Sequence, residues 1–163
     1  MESIPYDKRS GKIWFNGKTV DWNQANIHVL SHGLHYASCV FEGERVYDGE
    51  IFKLEDHTRR LFYSAERMGI KVPFSEEDIN KASKHIVNIQ KVKNGYVRPV
   101  IWRGSEMMAI SAQKNKTHVA IATWEWGSYF DPKLKIEGIK LNISKWRRPA
   151  PNTIPWDTKA AGL

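Results

Sequence analysis

The chain has 163 residues, of which 41% are hydrophobic and 26% are charged, and its formal net charge at pH 7 is +7. This length allows one ordinary domain with its own core, and the composition is that of a soluble globular protein. No apolar run approaches the roughly 20 residues of a membrane-spanning helix, and the first residues do not resemble a signal peptide. The single cysteine, Cys39, excludes an internal disulfide framework and fits a reducing compartment, so we expect a cytoplasmic protein without a membrane partner.

The basic excess leaves open a non-catalytic module that binds nucleic acid or another anionic partner. Seven tryptophans and six tyrosines would supply surfaces on which bases stack. However, the lysines and arginines are scattered, and the local clusters at residues 133–140 and 145–148 are short. A missing acidic portion of the chain would also explain the excess, so we expect no nucleic-acid partner.

Two hairpins are predicted in the first third of the chain. In the first, the pair Asn16-Gly17 lies between short apolar runs, and both residues tolerate the positive φ of a tight turn. In the second, strand-like runs at residues 40–47 and 50–53 flank an Asp-Gly turn. Gly43, inside the first of these runs, marks a bulge or a close approach by another group.

Three histidines lie between the two hairpins, at positions 28, 32 and 35. In a helix they would share one face and could hold a metal ion. Gly33 disfavours that helix, and no cysteine or carboxylate cluster is close enough in sequence to complete a site. We therefore predict no metal site and expect a packed polar segment.

Two amphipathic helices follow. The first is predicted over residues 54–68, where apolar residues recur at helical spacing and Gly69 ends the pattern. The second begins at a capping box formed by Ser75 and Asp78, and it is expected to end at residues 94–95. Two helices with one apolar stripe each can cover one face of a sheet.

The second half of the chain begins with a strand at residues 96–102. Strand alternation places Tyr96 and Arg98 on the same face, where they would project into a common pocket. Pro99 argues for an edge position or a bulge because it has no backbone N–H to donate. Another strand, residues 119–126, follows after a loop.

The last stretch, residues 145–163, contains Lys159 among small and apolar residues. Lysine in a desolvated setting loses its charge readily, and the neutral amine is a nucleophile toward carbonyl groups. A Schiff-base lysine needs this setting, although most lysines in such positions are solvated surface residues. Prolines before it indicate an ordered turn, and a strand is predicted at residues 139–144.

These motifs together resemble the branched-chain amino acid aminotransferases, which are fold-type IV enzymes dependent on pyridoxal 5'-phosphate (PLP). The run Ala-Pro-Asn-Thr-Ile-Pro followed by Lys-Ala-Ala-Gly is specific to that group, and the likeness extends from about Ile13 to Leu163. The stretches Phe-Glu-Gly-x-Arg, Tyr-Val-Arg-Pro and Trp-Gly-x-Tyr are also shared. Tyr-Val-Arg-Pro favours this branch over the D-amino acid aminotransferases and the aminodeoxychorismate lyases, which stay open as alternatives.

The resemblance implies a role for each matching residue. Lys159 would form an aldimine with PLP and transfer protons during transamination. Arg60, rather than Arg59, would bind the PLP phosphate, because it occupies the arginine position of the family stretch His-x-x-Arg-Leu-x-x-Ser-Ala. Tyr36 would reach the substrate pocket of a partner subunit. The residues expected to bind substrate are Tyr36, Phe41, Gly43, Tyr96, Arg98, Trp126 and Tyr129.

The implied activity is transfer of the amino group of Leu, Ile or Val to 2-oxoglutarate, so the partners would be amino acids and 2-oxo acids. The enzyme would be a homodimer or a larger homo-oligomer. Arg98 offers a cation for the second carboxylate of glutamate. The expected fold class is α+β, with a two-layer α/β N-terminal domain at residues 1–130. An interdomain link and the truncated start of the PLP-binding domain would occupy residues 131–163.

Two features depart from the family pattern. Family chains continue well past the lysine, so we expect a fragment with poor order after about residue 145, negligible activity alone and at best weak PLP binding. Residues 133–163 are predicted to contain no helix and no core of their own. The Gly-rich turn of the family is replaced by Glu-Met-Met-Ala at residues 106–109, so the contacts of this loop stay open.

Overall fold

The computed structural model describes residues 4–128 and 130–163 of the chain. Within these residues the strands are β1 Lys12–Phe15, β2 Lys18–Asp21, β3 Cys39–Phe41, β4 Glu44–Tyr47, β5 Glu50–Ile51, β6 Gly95–Arg103 and β7 Thr117–Glu125. The helices are α1 His32–Tyr36, α2 Leu54–Arg67, α3 Glu76–Ile89 and α4 Pro132–Glu137, and short 3-10 turns occur at Tyr6–Lys8 and Trp22–Gln24. In the described chain, no helix has both the length and the apolar character needed to cross a membrane.

The seven strands form one antiparallel sheet in the order β2-β1-β7-β6-β4-β5, with β3 also paired to β6. The long strands β6 and β7 form its centre and pair from Gly95 opposite Glu125 to Arg103 opposite Thr117. Val97 and Ile101 are buried on one face of β6, whereas Tyr96 and Arg98 lie on the other, as the alternation of a strand requires.

The core lies between the sheet and the helices α2 and α3. Leu61 of α2 and Ile86 of α3 are fully buried and belong to the same cluster as Val97, Ile101 and Ile121 of the sheet. Burying an aliphatic side chain of this size contributes about 1.5–3 kcal/mol. The result is a two-layer α+β fold with a helix-covered face and an open face, which confirms the predicted fold class.

Local signals predict the first hairpin and the helix starts correctly. Asn16 and Gly17 have φ values of 49° and 89° in the turn between β1 and β2. The side chains of Ser75 and Asp78 form the reciprocal capping box of α3. The end predicted for α3 is wrong: the helix ends at Ile89, and the chain leaves it at residue 91, where φ is 54°.

The strand predicted at residues 40–47 is interrupted at Glu42 and Gly43. These two residues separate β3 from β4, although both strands pair with β6. Pro99 lies opposite the interruption, and its carbonyl accepts a hydrogen bond from the Glu42 amide at 3.0 Å. Pro99 has no N–H to donate, and its backbone faces the break between β3 and β4, where no strand partner needs that donor. A proline is therefore tolerated in this central strand, and the edge position considered for it is wrong.

The end of the chain also differs from the prediction. Residues 132–137 form α4, with the Asp131 side chain accepting from the Lys133 amide, and residues 139–144 form no strand. Ile136 and Ile143 are about nine-tenths exposed, at 90% and 88%, in agreement with the expected lack of a core. The prediction that this segment contains no helix is wrong because of α4. At Ala160 the segment contacts the sheet, since Ala160 is buried and pairs with Val40 of β3.

Glu44 of β4 is an acidic residue inside the core. Its side chain is 0% exposed, and neither carboxyl oxygen has a hydrogen-bond partner in the described part of the chain. Burial, and secondly the negative charge of Glu42, raise the pKa of Glu44 to about 8. The native state therefore holds a proton on Glu44 at neutral pH, which the unfolded chain releases.

We expect the free energy of unfolding to fall between pH 5 and pH 9 because the native Glu44 binds a proton that the unfolded state has lost. The raised pKa corresponds to about 3–5 kcal/mol over this window. Glu44→Gln, which stays neutral, should show a flatter pH dependence in urea unfolding. Glu50→Gln, a change at an exposed position on β5, is the control and should follow the wild type. Parallel curves for all three proteins would contradict the assignment.

Candidate functional site

The backbone around Lys159 is attached to both β3 and α2. The Phe41 amide donates to the Lys159 carbonyl at 3.1 Å, and the Ala161 amide donates to the Cys39 carbonyl at 2.9 Å. The Lys159 amide donates to Oγ of Ser64 on α2 at 3.1 Å. Residues 159–161 therefore extend the pairing of β3, and the lysine lies at the junction of sheet and helix.

A second contact with α2 precedes the lysine. The Tyr63 hydroxyl donates to Oδ2 of Asp157 at 2.5 Å, and Nε of Arg67 lies 3.8 Å from Oδ1 of the same residue. The hydrogen bond from Tyr63 lowers the pKa of Asp157. One face of α2 thus contacts the chain at Asp157 and Lys159 through Tyr63, Ser64 and Arg67.

The amine of Lys159 faces an aromatic ring. Its Nζ lies 5.2 Å from the ring centroid of Phe41, and it forms no ion pair with any residue of the described chain. The side chain is half-buried. An amine without a carboxylate partner is available to react with a carbonyl group, which is the chemistry expected of this residue from the sequence.

Arg98 lies next to the same ring. Its guanidinium carbon is 4.6 Å from the Phe41 centroid and 5.4 Å from the Tyr96 centroid, and its Nη2 donates to the Tyr96 hydroxyl at 3.4 Å. Its Nε is buried and has no hydrogen-bond partner among the described residues. A buried cationic donor without a partner is satisfied by an anionic ligand, so this position suits a carboxylate.

Gly43 provides the space for the Tyr96 hydroxyl. A Cβ at this position would lie 1.7 Å from the Tyr96 oxygen, which no side chain could tolerate without moving the ring. The ring of Trp126 is 5.1 Å from that of Tyr96. Phe41, Tyr96 and Trp126 together form an aromatic wall beside Arg98.

Arg60 is engaged with a buried carboxylate. Its Nε and Nη2 donate to the two oxygens of Glu42 at 2.5 and 2.8 Å, while about half of its side chain, 51%, is exposed. Burial acts to raise the pKa of Glu42, but hydrogen bonds from Arg60 and His57 outweigh it, and the pKa lies below its usual value. Arg59 instead pairs with the exposed Asp56.

Two predicted substrate-binding residues are not part of this cluster. The Tyr36 hydroxyl donates to the Met108 carbonyl at 3.2 Å, and its ring packs against His32, so no described contact joins it to Phe41 or Arg98. Tyr129 lies outside the described residues. The three histidines have separate partners: His28 accepts from the Leu30 amide, His32 bonds Ser38, and His35 bonds the Val29 carbonyl.

The loop at residues 104–116 is held by polar contacts. The Asn115 side chain donates to the carbonyls of Gly104 and Met107, and His32 bonds the Ala109 carbonyl at 3.2 Å. These contacts place Met107 to Ala109 beside α1. Cys39 is a half-buried thiol: its partial burial, opposed by the charge of Arg98, raises its pKa to about 11, so it is no nucleophile at neutral pH.

Comparison with protein families gives one match that spans most of the chain. The model for "Amino-transferase class IV" matches residues 39–159, which begins at β3 and ends at Lys159. The matched span therefore includes the aromatic cluster, Arg60 and the lysine.

Comparison with individual proteins gives the same family. A probable branched-chain-amino-acid aminotransferase of Rickettsia bellii is 43% identical over 149 residues, covering 91% of this chain and 50% of the relative. The branched-chain-amino-acid aminotransferase of Pseudomonas aeruginosa is 42% identical over 144 residues, covering 86% and 47%. The crystal structure of the T.th. branched-chain amino acid aminotransferase with pyridoxamine 5'-phosphate superposes with a TM-score of 0.89 at 34% identity, covering 94% and 52%. The chain thus spans about half the length of these relatives.

Sequence reasoning missed Glu42 and Ser64 as parts of the site. Ser64 is fully buried and accepts from the Lys159 amide, and Glu42 is fully buried against Arg60. A signal for Glu42 was present, because a carboxylate between Phe41 and Gly43 inside an apolar run is unusual and requires a partner. Nothing local to Ser64 indicates its contact with a residue 95 positions away.

We expect Ser64→Ala to loosen the lysine segment, because the Lys159 amide then loses its acceptor. Loss of one hydrogen bond of about 1 kcal/mol should raise hydrogen exchange at this amide about fivefold. Ser83→Ala is the matched control, since Ser83 on α3 is also fully buried but its hydroxyl has no partner among the described residues. Equal exchange in both variants would contradict the contact.

Proposed function

Because this chain belongs to the amino-transferase class IV family, we propose that it provides the lysine-bearing half of a PLP-dependent branched-chain amino acid aminotransferase. The observation that carries the proposal is the position of the Lys159 amine, 5.2 Å from the Phe41 ring and free of any described carboxylate. In this proposal residues 1–130 are the N-terminal domain, and residues 131–163 are the link and the start of the PLP-binding domain.

The residues present fit the cofactor. Arg60 keeps about half of its guanidinium side chain exposed for the phosphate, and Lys159 offers an unpaired amine for the aldehyde. Arg60 and Ser64 are four residues apart on α2, so they share one face of the helix, and Ser64 holds the backbone of Lys159. When bound, PLP would withdraw electrons from the Cα atom of the amino acid.

Lys159 would have two tasks. Its amine would hold the cofactor covalently when PLP is bound. Its Nζ would also accept the proton from Cα of the substrate and release it again during transfer of the amino group. The backbone bonds to Phe41 and Ser64 would keep the lysine in position for both tasks.

The substrate would lie against the open face of the sheet. The rings of Phe41, Tyr96 and Trp126 would contact an apolar branched side chain. The buried Nε of Arg98, which has no described partner, would bind a carboxylate. A second carboxylate at this position suits glutamate, so we propose 2-oxoglutarate as the amino acceptor. Discrimination between side chains that differ by one methylene would be only about 1–3 kcal/mol.

The remaining parts of the proposal concern assembly. Tyr36 is joined to Met108 and His32 rather than to the cluster around Lys159. These contacts away from the cluster support the proposal that Tyr36 lies in the pocket of a partner subunit within a homo-oligomer. Since the relatives are about twice as long as the matched span, transaminase turnover is proposed for a protein that contains both halves.

Reductive trapping tests the lysine assignment directly. The chain is incubated with PLP, reduced with borohydride and digested, and the label is located by mass spectrometry. We expect Lys159 to be labelled at lower PLP concentrations than exposed lysines such as Lys140, because a phosphate bound by Arg60 would bring the aldehyde close to Lys159. Label on Lys140 or other lysines, with Lys159 unmodified, would refute the proposed function.

A second test compares the two neighbouring arginines. Arg60→Ala should weaken PLP binding by about 1.5–3 kcal/mol, the range for hydrogen bonds to charged groups. Arg59→Ala should have little effect because Arg59 pairs with Asp56 at the exposed surface. Dissociation constants from quenching of tryptophan fluorescence measure both. Equal losses in the two variants would show that Arg60 does not bind the phosphate.

A further inference from the structure

Glu42 joins the substrate wall to α2. It lies in the chain between Phe41 and Gly43, and its carboxylate is 0% exposed. Its Oε2 accepts from the Gly43 amide at 3.2 Å and bonds Nδ1 of His57 at 2.9 Å. Both of its oxygens also bond the guanidinium of Arg60. The carboxylate is therefore fixed from its own strand junction and from the helix.

The pairing with Arg60 has a defined geometry. Nε donates to Oε1 at 2.5 Å and Nη2 donates to Oε2 at 2.8 Å, so one edge of the guanidinium lies on the carboxylate. Two parallel bonds fix the plane of an arginine side chain, which a single ion pair does not. Nη2 also lies 3.4 Å from Nδ1 of His57, so the N–H groups of Nη1 are the ones left on the other side, and the side chain as a whole is 51% exposed.

We propose that Glu42 is a positioning residue for the cofactor phosphate: it fixes the Arg60 guanidinium by one edge so that the opposite edge receives the anion. The inference rests on the proposed function, which assigns the phosphate to Arg60. An arginine that is already ordered loses less conformational freedom on binding, and this increases affinity. Because Glu42 also connects Phe41 and Gly43 to α2, it aligns the phosphate site with the substrate wall.

Glu42 also has an electrostatic effect on Arg60, and this effect would change PLP affinity in the opposite direction. A carboxylate beside Arg60 reduces the positive charge that attracts a phosphate. If this charge effect were dominant, removing the carboxylate would tighten PLP binding. If positioning is dominant, removing it weakens PLP binding although the local charge becomes more positive. The sign of the change therefore separates the two effects.

The experiment measures dissociation constants of PLP and of pyridoxal, which lacks the phosphate, by quenching of tryptophan fluorescence. We expect Glu42→Gln to weaken PLP binding about tenfold, because a displaced Arg60 loses a hydrogen bond to the charged phosphate, and to leave pyridoxal binding unchanged. In an Arg60→Ala background, Glu42→Gln should have no further effect on PLP. Asp56→Asn is the control: it breaks the exposed pair with Arg59 on the same helix and should behave as the wild type.

Other results would overturn the inference in distinguishable ways. Tighter PLP binding by Glu42→Gln would show that the carboxylate competes with the phosphate. Equal weakening for PLP and pyridoxal would indicate a general loss of structure. A wild-type chain that does not prefer PLP over pyridoxal, with no effect of Arg60→Ala, would contradict the proposed function itself and remove the basis of the inference.

A second variant covers the case in which Glu42→Gln does not fold. Glu42→Asp keeps the charge but withdraws the carboxylate by one methylene, so it cannot hold Arg60 in the same place. Circular dichroism melting shows whether each variant is folded. A folded Glu42→Asp should lose affinity for PLP and not for pyridoxal, and unchanged PLP affinity in this variant would overturn the inference.

Discussion

The site depends on the short antiparallel pairing between residues 159–161 and β3. Without it, the Lys159 amine would have no fixed relation to Phe41, because the contacts of Asp157 and of the Lys159 amide attach the segment to α2 and not to β3. The pairing consists of backbone hydrogen bonds to the residues on either side of Val40. It is supported by Ala160, which is buried in the same core cluster as Val40. Since backbone bonds and one small apolar side chain carry it, the lysine side chain itself stays free for chemistry.

The break between β3 and β4 serves the site in a second way. A continuous strand would direct successive side chains alternately to the two faces of the sheet. At Glu42 and Gly43 the chain instead sends a carboxylate to α2 and leaves a space for the Tyr96 hydroxyl. Pro99 faces the same break from β6, so the sheet loses few hydrogen bonds there. A local defect in the sheet thus creates the contacts of both the proposed phosphate site and the proposed substrate site.

Most of the fold could be predicted from sequence because its signals are local. The turn at Asn16-Gly17 and the capping box at Ser75 follow from preferences within a few residues. The helix α4 was missed although its signal was equally local: Asp131 caps it, and a proline follows at the first helical position. A strand was expected at residues 139–144 from apolar residues alone, but no strand in the described chain pairs with them.

For a similar reason, the sequence predicts some residues of the candidate site and not others. Residues that carry recognisable motifs, such as Lys159, Tyr96 and Arg98, are brought together as expected. Residues that act by supporting others were missed, because their role exists only after folding. Ser64 and Lys159 are 95 positions apart, and neither position shows a periodic pattern that relates it to the other. The part of Tyr36 in the pocket is still a prediction, because it concerns a second copy of the chain.

Two neighbouring acids, Glu42 and Glu44, show how the fold accommodates charge next to the site. Both are fully buried, but only Glu42 has a cationic partner, Arg60. Its ionised state is stabilised by Arg60 and His57, and this charge disfavours ionisation of Glu44, whose pKa is raised chiefly by burial. The pair therefore holds one negative charge rather than two at neutral pH, as two interacting carboxyl groups in a desolvated place must. Because that single charge is on the residue that contacts Arg60, the electrostatics of the core and the orientation of the proposed phosphate site are set by the same carboxylate.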